Sequence, residues 1–174
     1  HNKANAMGII KLAEVLKISN KILYKVLKDF TGIGRRLEEL GTINGITVID
    51  DYANHPTAFT ANISAVKEKY PESRIWAVIE PHTFSRPKAT LPDYPAAFQL
   101  AHQIIVSKIF ASRETDPGNF TGADIAAATP RAIYIPEFSD IATYFKQHAQ
   151  PGDVILVMGS GDSSKLARQI LAAL

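Results

Sequence analysis

Four short stretches of the chain gather the side chains that chemistry most often uses, and each follows an apolar run. Asp50-Asp51-Tyr52-Ala53-Asn54-His55-Pro56 places two acids, an aromatic ring and an imidazole in one segment. An aspartate at such a place can accept hydrogen bonds from a ribose diol. The same residues could instead cap a helix, with one Asp paired to Arg36. Glu80-Pro81-His82-Thr83-Phe84-Ser85-Arg86 puts a His and an Arg four apart. That pair could hold a carboxylate or a phosphate, or belong to an exposed loop with a structural ion pair. Ser107-Lys108 opens a loop that contains Ala111-Ser112-Arg113-Glu114 and runs to about residue 120, long enough for a lid or simply a surface loop. Met158-Gly159-Ser160-Gly161-Asp162-Ser163-Ser164-Lys165 sets two glycines at a strand-to-helix turn. Backbone N–H groups there could reach an anion at a helix N-terminus, or the glycines could serve a tight turn.

Several chemistries are excluded or weakened. With no cysteine, thiolate catalysis, disulfides and Cys-ligated metal centres are out. No G-x-x-x-x-G-K-[ST] loop occurs, and the Gly159 turn is not G-x-G-x-x-G because position 164 is Ser. His102 and His148 fall within predicted helices and read as structural. No set of side chains has metal-ligand spacing, and no Ser-His-Asp arrangement stands out.

The elements that must position these stretches follow from apolar periodicity. Ile9, Leu12, Ala13 and Leu16 recur at helical spacing over residues 2–16. Ser19 is a good N-cap for a second helix that runs to about Phe30, with Ile22, Leu23, Val26, Leu27 and Phe30 on one stripe and Lys21, Lys25 and Lys28 on a solvated face. Gly32 and Gly34 end the pattern and mark a flexible joint. Asn44-Gly45 between Leu37–Thr42 and Ile46–Ile49 signals a hairpin. Strands are then predicted at Thr47–Ile49, Ile75–Ile79, Ile104–Val106, Ala132–Ile135 and Val154–Val157, and helices at about 57–69, 92–101, 121–128, 139–148 and 163–173. Pro56 and Pro92 suit first helical positions, and Thr121 and Ser139 suit caps. Short, wholly apolar strands alternating with helices indicate an open, mostly parallel α/β sheet of about six strands, helices on both faces, with one antiparallel hairpin edge. Ligands of such sheets bind beyond the carboxyl ends of the strands, where all four stretches fall.

Composition fits this class. Lys+Arg 19 against Asp+Glu 17 leaves a net charge of 19 − 17 = +2, with no basic footprint for nucleic acid. No apolar run approaches the ~20 residues of a membrane span. The chain begins with His1 and shows no signal peptide, so a piece of a longer, cytoplasmic protein is expected.

The ordered set H-N-x-x-N-A, G-x-G-R-R, V-x-D-D-Y-A-x-H-P-T, E-P-H-x-F-S-R and G-D-V-I-L-V-M-G-x-G resembles the C-terminal region of the Mur ligases, from His1 to Leu174. Among them it is most similar to the branch that adds L-alanine to UDP-N-acetylmuramate. The resemblance implies an ATP-dependent amide-bond ligase of peptidoglycan precursor synthesis, working through an acyl phosphate. Residues 1–34 would be the helical tail of a central ATP-binding domain, and 35–174 a Rossmann-like C-terminal domain. Most of the central domain, which would hold the phosphate loop and Mg²⁺, and the domain for the UDP-sugar would precede it. By the same resemblance, Asn2 and Asn5 lie against the adenine beside His1, Arg36 reaches the ATP phosphates, Asp51 holds the ribose and Tyr52 lies near the nucleotide. His55 sits near the reacting centre, and His82 and Arg86 bind the amino acid in a pocket lined by Gly159 and Gly161. The family's His-His before Pro is Asn54-His55 here, and its Arg after P-H is Thr83, so beside L-alanine another amino acid or a short peptide stays open, the latter as in the murein tripeptide ligases of cell-wall recycling. A non-catalytic nucleotide-binding module is the reading from a different class.

Overall fold

The computed structural model describes residues 2–30 and 32–174, with the side chains of residues 2 and 3 left aside. It divides into two compact units, His1–Ile33 and Gly34–Leu174.

The first unit is a helix pair, α1 (Asn2–Val15) and α2 (Asn20–Asp29). α1 ends in a Schellman turn: Lys17 adopts φ 57°, Ile18 N–H donates to the Ala13 carbonyl and Lys17 N–H to that of Glu14. Ser19 is the N-cap residue of α2 through its carbonyl, with no side-chain cap bond. Ala13 and Leu23 are buried between the helices, whereas Leu12, Leu16, Ile22, Val26 and Phe30 on the predicted stripes are exposed.

The second unit is one six-stranded sheet. A hairpin of β1 (Glu38–Ile43) and β2 (Ile46–Asp51) turns at Asn44-Gly45, whose φ of 52° and 77° are the left-handed pair of a type I′ turn. α3 (Pro56–Lys69) leads to β3 (Ile75–Ile79), followed by the short helices α4 (Ser85–Thr90) and α5 (Tyr94–Ala97), joined by a 3₁₀ turn at Leu91–Asp93. β4 (Gln103–Val106), α6 (Gly122–Ala128), β5 (Ala132–Tyr134), α7 (Phe138–His148), β6 (Val154–Met158) and α8 (Ser163–Ala173) complete it. The order is β1-β2-β6-β3-β4-β5, parallel except for β1. The open, mostly parallel α/β sheet with one hairpin edge is therefore as expected.

Alternation along the strands builds two cores. Ile49, Ala77, Ile79, Val106, Leu156 and Met158 pack under α3, α5 and α6. Val48, Trp76, Val78, Ile105, Ile155 and Val157 pack under α7 and α8. Both faces are covered, which is why the strands read as unbroken apolar runs. β6 returns between β2 and β3, so the register aligns Asp51, Met158 and Ile79, and Ile79 with Val106, at one edge.

Two local expectations need correction. The helix expected at 92–101 is instead the 3₁₀ turn at Leu91–Asp93 and the four-residue α5, with α4 added before them where no helix was expected. Pro87, Pro92 and Pro95 each lack the backbone N–H that a continuous helical ladder needs, so no single long helix forms. Ser139 is not a cap: α7 starts at Phe138, with Glu137 at the N-cap position. Thr121 does cap α6, in a capping box with Asp124.

Candidate functional site at the carboxyl edge of the sheet

The ends of β2, β6, β3 and β4 deliver four loops side by side. At the β2 end the two acids diverge. Asp51 accepts from Leu37 N–H through Oδ2 (2.8 Å) and from Ala53 N–H through Oδ1 (2.7 Å), which ties the segment before β1 to the β2 loop. Asp50, on the opposite face of the strand, is 0% exposed, and neither oxygen has a hydrogen-bond partner among the described residues. Burial pushes its pKa up, while the nearby Arg35 guanidinium draws it back.

The arginine beside Asp50 is Arg35, not Arg36. Its Nε lies 3.6 Å from Asp50, and its Nη2 donates to the Gly159 carbonyl (2.8 Å) and the Ser163 hydroxyl (3.0 Å). The ion pair considered for Arg36 thus falls to its neighbour. Arg36 is exposed, with its guanidinium 5.4 Å from the centre of the Tyr52 ring; Arg35 lies 4.8 Å from the same ring. Tyr52 is itself solvent-exposed. His55 is the N-cap residue of α3: its Nδ1 accepts from Thr57 N–H at 3.3 Å, which leaves the proton of the neutral ring on Nε2.

The Gly159 turn is filled by one of the protein's own carboxyl groups. Glu80, at the end of β3, accepts from Ser163 N–H at the start of α8 through Oε2 (2.9 Å), and burial pushes its pKa up to about 7. A Cβ on Gly161 would come 2.6 Å from Phe110 Cγ and 2.7 Å from Glu80 Oε2, and one on Gly159 would come 2.9 Å from the Ser163 side chain. The glycines are needed for this close approach, so of the two readings of the turn the tight one holds, with the Glu80 carboxyl group already at the helix terminus. Asn54 Nδ2 donates to the Ser160 hydroxyl (2.8 Å) and fastens the β2 loop to the turn.

The third loop carries His82 and Arg86. The His82 ring stacks on Phe110 with centroids 5.6 Å apart. Phe110 N–H donates to the Pro81 carbonyl and Thr83 N–H to the Phe110 carbonyl, both at 2.8 Å. His82 Nδ1 and Arg86 Nη1 are buried with no partner among the described residues. Burial and the positive charges of Arg86 and Arg113 lower the His82 pKa, so its ring is neutral at pH 7. A cationic fork beside a neutral imidazole, each with an unanswered polar atom, is suited to a carboxylate ligand. The long loop after β4 is thus bound to its neighbour through Phe110 rather than standing clear as a lid.

Of the residues expected in a site, Arg36, Asp51, Tyr52, His55, His82, Arg86, Gly159 and Gly161 belong to this edge. Asn5 lies exposed on α1 in the first unit. His1 lies outside the described residues, as does the side chain of Asn2. Sequence reasoning missed Arg35, Phe110 and the role of Glu80. Only the strand-end position of Glu80 was a usable signal. Among the described residues no group of three or more His, Asp or Glu could hold a metal ion, and no helix is long and apolar enough to cross a membrane.

The family model described as Mur ligase, glutamate ligase domain, matches residues 35–161, which takes in the first three loops and the fourth as far as Gly161. The chain belongs to the Mur ligase family. A UDP-N-acetylmuramate–L-alanine ligase from Alkaliphilus metalliredigens is 39% identical over 175 residues, covering 99% of this chain and 38% of its own length. The fold is shared with the UDP-N-acetylmuramate–alanine ligase of Thermotoga maritima (TM-score 0.82, 22% identity, 99% of this chain and 37% of that one). A murein peptide ligase from Psychrobacter arcticus also matches (TM-score 0.72, 28% identity, 99% of this chain and 36% of that one). The chain thus spans about 38% of the length of the curated Mur ligase relatives it matches.

Proposed function

We propose that residues 35–174 are the C-terminal domain of an ATP-dependent ligase that joins L-alanine to UDP-N-acetylmuramate in peptidoglycan precursor synthesis. Residues 1–34 are then the end of a central ATP-binding domain, which agrees with the exposed apolar stripes of α1 and α2. The carrying observation is that the nucleotide-type residues of β2 and the carboxylate-type residues after β3 converge on one edge. The β6 turn joins them through Arg35, Glu80 and Asn54.

In this reading Arg36 presents an exposed guanidinium to the ATP phosphates, beside Tyr52 and a ribose-binding Asp51. Each Asp51 oxygen is engaged by one backbone N–H and retains a lone pair for a ribose hydroxyl. Arg86 pairs with the carboxylate of the incoming amino acid, and neutral His82 accepts or donates a hydrogen bond beside it. His55, on the exposed rim of the β2 loop, stands near the reacting centre. The chemistry is attack of the amino acid's amine on an acyl phosphate of the sugar carboxylate. It asks the protein for placement and charge stabilisation rather than a covalent nucleophile. Mg²⁺ and the phosphate loop are assigned to the preceding domain, since this chain has no Walker A sequence. The 174 residues alone are therefore expected to turn over no ATP, and a cytoplasmic setting follows from the substrates.

The test is a pair of variants in the full-length ligase. Arg86→Ala should raise the KM for L-alanine by on the order of tenfold to a hundredfold, with the KM for ATP within about twofold of the parent. Asp51→Ala should do the reverse. Equal losses for both substrates in either variant would sink the division of the edge. The 28% identity to a murein peptide ligase favours peptide attachment as a second reading. Phosphate release with L-alanine and then with the tripeptide separates the two.

A further inference from the structure

The segment that bears His82 and Arg86 has little means of holding its own shape. Thr83 adopts φ 65°, a left-handed conformation that a β-branched residue resists. α4, which carries Arg86, is six residues long, and its N-cap residue Phe84 makes no side-chain cap bond. A helix that short does not persist unaided, and its first amides have no intrahelical partners.

Those amides are answered from a different loop. The Glu114 carboxylate accepts from Phe84 N–H (2.7 Å) and Ser85 N–H (2.9 Å) through Oε2, and from the Ser85 hydroxyl through Oε1. These bonds lower its pKa, so the carboxylate is charged at neutral pH. One turn earlier, Phe110 pairs with Pro81 and Thr83 in a parallel bridge. The loop after β4 therefore grips its neighbour twice, and the grip nearer Arg86 is a single carboxylate with three donors.

We propose that Glu114 is a positioning residue of the amino-acid subsite, holding the start of α4 so that Arg86 and His82 point at the substrate carboxylate. This rests on the amino-acid reading of His82 and Arg86 given above. Glu114 touches neither substrate in this scheme and acts through the Phe84–Ser85 backbone. The partnerless buried Nη1 of Arg86 has no protein acceptor to aim it, so its direction is inherited from α4.

The experiment uses the full-length ligase with Glu114→Ala, Glu114→Gln and Arg86→Ala, each checked by thermal melting and by ATP KM. Glu114→Ala should raise the KM for L-alanine by on the order of tenfold, the scale expected when a binding group is displaced by a fraction of an ångström. Its ATP KM should stay within about twofold. Glu114→Gln keeps the shape and an acceptor oxygen but loses the charge, so it should fall between parent and alanine variant. If Arg86→Ala raises the L-alanine KM while Glu114→Ala leaves it unchanged, the positioning role is refuted and the reading of Arg86 stands. If neither variant moves it, the amino-acid reading of this loop fails and takes the proposal with it. If Glu114→Ala raises both KM values together, its role is general support of the fold, and the proposal is wrong.

Discussion

Replacing Arg35 by alanine tests the electrostatic logic of the edge. The guanidinium donates to the Gly159 carbonyl and the Ser163 hydroxyl and is the nearest positive charge to Asp50, which is 0% exposed. Removing one partner of a buried pair costs about 3–5 kcal/mol, because the remaining charge is stranded. Here there is a ceiling. The stranded carboxylate can take up a proton, which at pH 7 from a reference pKa of 3.8 costs about 1.36 × (7 − 3.8) ≈ 4 kcal/mol. Part of that cost is already present in the parent, since burial has raised the Asp50 pKa. Arg35→Ala should therefore destabilise the second unit by about 3 kcal/mol, a fall in Tm of roughly 10 °C for a domain of this size. Trp76, the sole tryptophan, is 4% exposed in the core under α7 and reports the transition in urea by fluorescence. Asp50→Asn in the same background should recover about 2 kcal/mol, because no charge is then left unpaired. The deficit of Arg35→Ala should also shrink as the pH falls. An acid whose folded pKa is raised holds its proton more tightly in the native state, so acid restores what the orphaned charge removes. A loss below about 1 kcal/mol, or one that is equal at pH 5 and pH 7 and simply additive with Asp50→Asn, would refute the reasoning.

Glu80 gives a second pH test. Its folded pKa of about 7 against an ordinary 4.5 means that its contribution to stability is full below about pH 4.5 and is lost as the pH rises through 7. Glu80→Gln keeps an acceptor for Ser163 N–H, so urea midpoints should show it more stable than the parent at pH 8, by up to about 3 kcal/mol, with no gain at pH 4.5. A gain that does not grow with pH contradicts a buried, titrating Glu80. Gly161→Ala forces a methyl to within 2.6 Å of Phe110 Cγ and 2.7 Å of Glu80 Oε2. It should cost about 1–3 kcal/mol in thermal unfolding. On the proposed amino-acid subsite it should also weaken L-alanine use more than ATP use in the full-length protein, because Phe110 backs the His82 ring.

Much of this protein was legible in the residue order. Unbroken apolar strands, Asn44-Gly45, Pro56 at a first helical position and the cap at Thr121 imply a parallel sheet with a hairpin edge, because periodicity and turn chemistry are local properties. The four chemistry-bearing stretches could be placed at one edge for the same reason, since every strand of a parallel sheet presents the same end. What only the tertiary structure decided is which neighbour in each stretch turns inward. Arg35 and Arg36 are indistinguishable by type and both lie over Tyr52, yet only Arg35 turns inward to Gly159, Ser163 and Asp50, leaving Arg36 exposed. Asp50 and Asp51 differ only in strand face: one enters the core under α8, and the other closes the backbone before β1. Glu114 lies 29 residues from Ser85, and no local pattern joins them. Such pairings depend on the order of strands in the sheet, which sets distances between residues remote along the chain.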